Sequence, residues 1–291
     1  MNTRTRSIIA LLLAVLFFST SGLLIKLSSW DALALNGARS LIAAAVIWAY
    51  LRRPNFTWSR AQVGGAILYA VMVITFVQAT KWTTAANAVF LQFTAPLWVA
   101  LFGIWLLGER PKRSDWLTMI TVAFGMLLFF GDDLTRSGYW GNLLAIFSGI
   151  CMALMLIALR LQKDGSPTET ILLGNLIAGA VGLPFIVLGD QLVNPREISI
   201  ILFLGIFQLG LPFIAVTLAI KQLRAIETIL IQTLEPILNP IWVYVFIGER
   251  PSPSALLGAA IVTTAVTINA IAAGRRPKED TFIRQQEQST K

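Results

Sequence analysis

The chain has 291 residues, 56 % of them hydrophobic and 13 % charged, with a formal net charge of +8 and a mean hydropathy of +0.72. A soluble domain carries about 25 % charged residues, so this chain has too few charges to clothe a water-soluble globule and must keep a large apolar surface in lipid. The absence of histidine and the single cysteine, Cys151, exclude imidazole catalysis, imidazole or thiolate metal centres, a histidine proton relay and an internal disulfide; the basic balance fits the cytoplasmic loops of a membrane protein better than a nucleic-acid partner.

Arg4 and Arg6 precede an apolar run from Ile8 to Phe18 that looks like a secretory signal. No cleavage-site pattern of small residues follows, and the run continues through Ser19, Thr20, Ser21 and Gly22 to Ile25, so a retained first helix is expected. Along the chain, apolar stretches alternate with short charged punctuation. The expected spans are 7–27, 33–51, 62–80, 84–107, 115–131, 139–159, 169–188, 199–220, 226–247 and 253–273. Each is too long for a strand, and lipid requires the backbone groups of a segment to pair within it, so all ten are read as helices. Trp30, Trp48, Trp58, Trp82, Trp116 and Trp140 fall near span ends, as interfacial aromatics do.

With the N-terminus in the cytoplasm, seventeen Lys and Arg fall in inside segments and four outside (Lys81, Arg136, Arg196 and Arg250), with Lys26 and Arg39 within helices. That asymmetry favours cytoplasmic termini. Residues 274–291 are polar and mixed in charge, and read as a disordered cytoplasmic tail.

The chain also contains itself twice. Gly108-Glu109-Arg110-Pro111 recurs 140 residues later as Gly248-Glu249-Arg250-Pro251, and in the same register Lys81 matches Lys221, Gln92 matches Gln232 and Pro96 matches Pro236. A unit of five helices is odd, so the second copy, 138–273, must be inverted relative to the first, 1–131. Inverted repeats are the architecture of secondary transporters, with the substrate site near the midplane. The fold class expected is thus an all-α membrane protein of ten transmembrane helices in two inverted five-helix repeats.

The ten-helix count, the duplicated unit, the Pro-containing fourth helix ending in Leu106-Leu107-Gly108-Glu109, and the ninth helix with Leu234-Glu235-Pro236 and Ile247-Gly248-Glu249 resemble the EamA family of the drug/metabolite transporter superfamily. The resemblance covers about residues 7–273. It implies an exporter of amino acids or related metabolites in the inner or plasma membrane, with a central cavity; it identifies the fold well and the substrate poorly.

Glu235 is the acidic residue set deep in a span, about nine residues into the ninth helix, or about 13 Å at 1.5 Å per residue. A charge there costs about 2.5–3.5 kcal/mol on insertion scales, so it should face a cavity or a partner. In a continuous helix Thr228, Gln232, Glu235, Asn239 and Trp242 would share one face, a polar seam for substrate or a set of interhelical hydrogen bonds. An acid before this proline is widespread in the resembling family, so Glu235 could instead serve the common fold. Arg39 could bind a substrate carboxylate, snorkel to the interface, or pair with Glu235. Lys26 is expected to snorkel. Gln78, Asn87, Gln92 and Thr94 add polar groups, and Phe90, Phe93 and Trp98 aromatic walls or packing surface. Pro96, Pro236 and Pro240 are candidate hinges or static kinks. Gly174, Ala178 and Gly182 form a small-residue ridge for close packing.

The expectation is a secondary transporter exporting small metabolites by alternating access, with Glu235 a candidate for proton exchange. An uncoupled facilitator, an importer and a non-transporting receptor or scaffold are the alternatives. No enzyme chemistry, cofactor, metal site or nucleic-acid partner is expected; the partners are a small solute and the bilayer, and a homodimer is allowed.

Overall fold

A computed structural model describes residues 3–109, 111–130, 138–238 and 253–274. The described elements are helical: α1 (Thr3–Phe18), α2 (Ser21–Leu27), α3 (Ala32–Leu51), α4 (Arg60–Trp82), α5 (Ala85–Gln92), α6 (Ala95–Leu106), α7 (Arg113–Phe130), α8 (Tyr139–Leu161), α9 (Pro167–Leu188), α10 (Pro195–Phe203), a π-helix (Leu204–Gly210), α11 (Leu211–Ile220), α12 (Ala225–Gln232) and α13 (Pro253–Gly274). Asn239, Pro240, Trp242, Arg110, Arg136, the second Gly-Glu-Arg-Pro and the tail from Arg275 lie outside the described residues.

Local chemistry sets several helix starts. The Asp31 carboxylate accepts from the backbone of Leu33 and Ala34, Ser59 Oγ from Gln62, Thr84 Oγ1 from Asn87, and Asn194 Oδ1 from Glu197. Each satisfies an amide that has no partner inside its own helix. Seven segments among the described residues are long and apolar enough to cross a membrane: Thr3–Leu27, Ala32–Leu51, Arg60–Trp82, Asn87–Leu106, Tyr139–Leu161, Pro167–Leu188 and Pro195–Ile220. Helices α7 and α13 lie outside that set of seven, and the expected ninth span is described only as far as Leu238.

Helix α4 packs against α8 and α9, α3 against α9 and the π-helix, α1 against α11, and α7 against α13. The small-residue ridge does its expected work: a Cβ on Gly182 would lie 2.4 Å from Gly37 Cα, and one on Gly174 would lie 2.6 Å from the Tyr69 ring. Leu13, Trp105, Leu117, Ile120, Val187 and Leu188 stand outward, so the bundle presents the apolar surface that lipid solvates. Trp48, Trp58, Trp82, Trp116 and Trp140 are exposed near helix ends as expected. Trp30 differs: it is buried, and its Nε1–H donates to the Leu192 carbonyl at 2.8 Å.

Candidate functional site

Four of the segments are irregular, and all four irregularities border one cavity. The first is interrupted at Ser19–Thr20 between α1 and α2, the fourth at Phe93–Thr94 between α5 and α6, and the eighth passes through the π-helix. After α12 ends at Gln232, the chain turns at Thr233–Leu234 and is helical again from Glu235. Phe18, Gln92, Gln208, Gln232 and Glu235 from these places line a cavity of ≈ 40 Å³, joined by Arg39 of α3 and walled by Phe76, Met152 and Phe213.

Three prolines explain three of the breaks. Pro96, Pro212 and Pro236 follow Gln92, Gln208 and Gln232 by four residues each. A proline has no N–H to give the carbonyl four residues earlier, and its ring crowds that turn. The same Gln-x-x-x-Pro spacing thus interrupts a helix and places an amide side chain at the interruption. Broken helices are how membrane transporters expose polar backbone and side chains to a solute rather than to lipid.

The amides are held. Gln92 Nε2 donates to Ser148 Oγ at 2.8 Å, and Ser148 Oγ donates to the Met72 carbonyl at 2.9 Å. Gln232 Nε2 reaches the Thr228 carbonyl at 3.5 Å, the outer limit of a hydrogen bond. The Arg39 guanidinium donates through Nη1 to Gln208 Oε1 at 3.0 Å, through Nε and Nη2 to Asn36 Oδ1 at 3.4 and 3.2 Å, and through Nη2 to the Val73 carbonyl at 3.5 Å. Arg39 therefore neither snorkels nor pairs with Glu235; it is 1 % exposed. Among the described residues none donates a hydrogen bond to the Glu235 carboxylate, and no ion pair within 4.0 Å joins it.

Polar clusters close the bundle at both ends. Beside the N-terminus, Arg4 meets Glu227 at 3.3 Å, Arg224 meets Glu227 at 3.2 Å and Asp115 at 3.0 Å, and Asn269 Nδ2 donates to Asp115 Oδ1 at 3.2 Å. Burial opposes the Arg224 charge, but the Asp115 and Glu227 carboxylates outweigh it and hold the guanidinium above its ordinary value. Arg160 joins the same end, with Glu109 at 2.9 Å. Glu109 thus pairs with α8, which its neighbours in sequence did not indicate. At the opposite end Glu197 accepts from Ser28 Oγ, Ser29 N and Ser29 Oγ at 2.7, 2.8 and 2.9 Å. Lys26 Nζ donates to the Thr83 carbonyl at 2.7 Å, and Lys81 Nζ to the Ser28 carbonyl at 2.6 Å.

Of the residues singled out in the sequence, Arg39, Gln92, Gln232 and Glu235 meet at the cavity, and Pro96 and Pro236 sit at its broken helices. Asn87 is at the far end, where its Nδ2 donates to Thr83 Oγ1 and Asn142 Oδ1, both at 3.3 Å. Phe93 lines a separate apolar groove with Phe90, Pro96 and Met119. Trp98 Nε1 donates to Thr94 Oγ1 at 3.2 Å and its ring stacks on Phe102. Gln78, half-buried, does not line the cavity. An unbroken ninth helix would carry its polar residues on a single face; the turn at Thr233–Leu234 breaks that register, yet Gln232 and Glu235 both reach the cavity. Gln208 was missed, although the Gln-x-x-x-Pro spacing it shares with Gln92 and Gln232 was there to find.

Residues 5–131 and 139–271 each match the model of the EamA-like transporter family. The chain is similar to the threonine/homoserine exporter RhtA of Escherichia coli (strain K12), with 28 % identity over 180 residues, 61 % of this chain and 60 % of that protein. It thus spans only about three fifths of that relative's length. The pseudopaline exporter CntI of Pseudomonas aeruginosa is 24 % identical over 235 residues, covering 78 % of this chain and 82 % of that one. The transporter YwfM of Bacillus subtilis (strain 168) is 22 % identical over 263 residues, covering 86 % and 89 %. A crystal structure at 20 % identity superposes with a TM-score of 0.77 over 93 % of this chain and 98 % of that one, a likeness of fold.

Proposed function

The chain belongs to the EamA-like transporter family and is an integral membrane protein, and from that premise we propose that it exports small polar or amphipathic metabolites, amino acids or their derivatives, by alternating access. The observation that carries the reading is the cavity itself. Three amides, a guanidinium and a carboxylate converge in the interior of an apolar bundle, at helix interruptions, with polar closures at both ends. A bundle that only needed to be stable would not bury this set, because each buried polar group costs free energy unless it is satisfied. The names of RhtA and CntI, both exporters of amino-acid-like solutes or a named metabolite, support the direction and the solute class.

The repeat of Gly-Glu-Arg-Pro, and the matching breaks before Pro96 and Pro236, support two inverted five-helix halves, 1–131 and 138–273, rocking against each other around the cavity. The distribution of Lys and Arg supports an N-terminal end facing the cytoplasm of a bacterial inner membrane. Glu235 would carry a proton across in exchange for solute, since it lines the cavity and holds no partner among the described residues. Metabolite profiles of medium from overexpressing and deleted cells identify the solute. Flux of that solute in proteoliposomes, with and without a pH gradient, is then compared for the parent and Glu235→Gln. No solute enriched in the medium and no flux would remove the carrier. Equal flux in all four cases would leave an uncoupled facilitator, with Glu235 serving the common fold.

A further inference from the structure

Arg39 is the feature of the cavity that the structure leaves electrically incomplete. A guanidinium keeps its charge in proteins. This one is 1 % exposed, in the interior of an apolar bundle, and among the described residues every acceptor it has is neutral: the Asn36 and Gln208 amides and the Val73 carbonyl. The Gln208 contact, at 3.0 Å, is the shortest; the Asn36 and Val73 contacts run from 3.2 to 3.5 Å, at or beyond the long end of the ordinary range. A buried ion without a counter-ion is among the costliest arrangements a membrane protein can hold, and such ions mark function. The obvious counter-ion, Glu235, lines the same cavity but makes no ion pair with Arg39 within 4.0 Å. Beside the guanidinium on α3, Asn36 Nδ2 is buried with no hydrogen-bond partner among the described residues, a second unspent donor in the same cluster.

We infer that Arg39 receives a carboxylate of the transported solute, and that Gln208 Oε1 occupies the place of that carboxylate until the solute arrives. The inference rests on the carrier reading above and narrows it to solutes that bear a carboxylate. A carboxylate oxygen is a much stronger acceptor for a guanidinium than a neutral amide, and it can take two parallel N–H bonds. Gln208 is well placed to yield. It sits in the π-helix, a turn whose wide hydrogen-bond pattern recurs at functional sites. The glycines at 205 and 210 let the π-helix lie directly on α3: a Cβ at Gly205 would be 2.9 Å from the Arg39 carbonyl and 2.6 Å from Ile42 Cβ. A solute that draws Arg39 away from Gln208 therefore acts on the contact between α3 and the eighth segment.

The test is thermal unfolding of the purified protein in detergent, titrated with acetate, propionate, butanoate and hexanoate and with the matching primary amides. Carboxylates are expected to raise the unfolding midpoint with half-saturation about ten- to a hundredfold lower than the amides, the worth of a charge-assisted hydrogen bond over its loss. Arg39→Gln should make acid and amide equivalent. Gln208→Glu supplies the missing carboxylate from within, so it should raise the ligand-free midpoint and abolish the carboxylate response. That variant keeps the inference testable even where Arg39→Gln does not accumulate. Equal responses to acid and amide in the parent overturn the inference, as does an undiminished carboxylate response in Gln208→Glu. Efflux of threonine and homoserine from proteoliposomes, measured in parallel, separates the two readings. Efflux without carboxylate stabilisation sinks the Arg39 assignment alone, and carboxylate stabilisation without efflux of any carboxylate-bearing solute sinks the carrier alone.

Discussion

At the end of the bundle that carries the N-terminus, α1, α7, α12 and α13 are tied by side chains of opposite charge, with Asp115, Arg224, Glu227 and Arg4 in sequence and Asn269 completing the set. At the far end, α2, α4, α8 and α10 meet through side chains bonded to the main chain or to neutral side chains, with no ion pair among the described residues. Lys26 and Lys81 donate hydrogen bonds to backbone carbonyls at each other's helix ends, and Glu197 accepts from Ser28 and Ser29, one of the donors a backbone amide. Helix α8 starts hard against the end of α4: a Cβ on Gly141 would lie 2.8 Å from Thr83 N. The contrast bears on gating. Paired charges part by rotamer changes at roughly fixed backbone, whereas a contact as close as that at Gly141 opens only when the helices themselves move. On the carrier proposed above, the N-terminal end would then be the gate that opens at lower cost and the far end the firmer of the two.

The largest effect should come from Asp115→Ala. Asp115 is fully buried and accepts from Arg224, Asn269 and the Lys112 amide. Removing one member of a buried ion pair costs about 3–5 kcal/mol, because the partner charge is left uncompensated. Thermal unfolding in detergent should fall accordingly, and amide hydrogen exchange should quicken in α12 and leave α2 at its parent rate. Quickened exchange at both ends would break the distinction between them.

Glu197→Gln should follow, at about 1.5–3 kcal/mol, the range for hydrogen bonds to a charged group. One oxygen of the carboxylate takes Ser28 and the other takes Ser29 twice; a glutamine keeps an acceptor on one side only. Exchange should quicken in α2 and the start of α10, the mirror of the Asp115 result. Gly141→Ala should cost about 1–3 kcal/mol by overpacking, since the added methyl meets the backbone of Thr83 and Trp82. A negligible shift in its unfolding midpoint would show that the far end gives way easily and would remove the claim of firmness.

How much of this was readable from the chain differs between the middle and the ends. Gln92, Gln232, Glu235 and Arg39 stood out because each is a polar residue in an apolar run, and lipid allows that only where something compensates. The structure gathers all four at one cavity. The prolines announced interruptions, but not that each lies two residues ahead of its proline, at Phe93–Thr94 and Thr233–Leu234. Gln208 lies in the eighth apolar run with the same Gln-x-x-x-Pro spacing as Gln92 and Gln232, which points to a break there but not to a π-helix. The end clusters were out of reach for another reason. Ser28 and Glu197 are 169 residues apart, and Glu109 and Arg160 are 51 apart. Hydropathy reports which residues avoid lipid; it does not report which of them meet.

The smallest effect expected is that of Arg4→Ala, and it probes the N-terminal latch most finely. Arg4 is a quarter exposed where it meets Glu227 at 3.3 Å, and Glu227 keeps Arg224 as a second partner at 3.2 Å. Solvent-screened pairs are worth about 0–1 kcal/mol. The unfolding midpoint should thus shift little. Its kinetic effect should be more visible, because Arg4 is the charged tie between α1 and α12 at this end, and α1 carries Phe18 at the cavity wall. Loosening that tie should quicken exchange near the start of α12 and raise the rate of solute entry from the N-terminal side in oriented vesicles, while entry from the far side stays at the parent rate. An equal rise on both sides would mean that Arg4 acts on the whole bundle, and the assignment of a distinct charged gate to this end would fall.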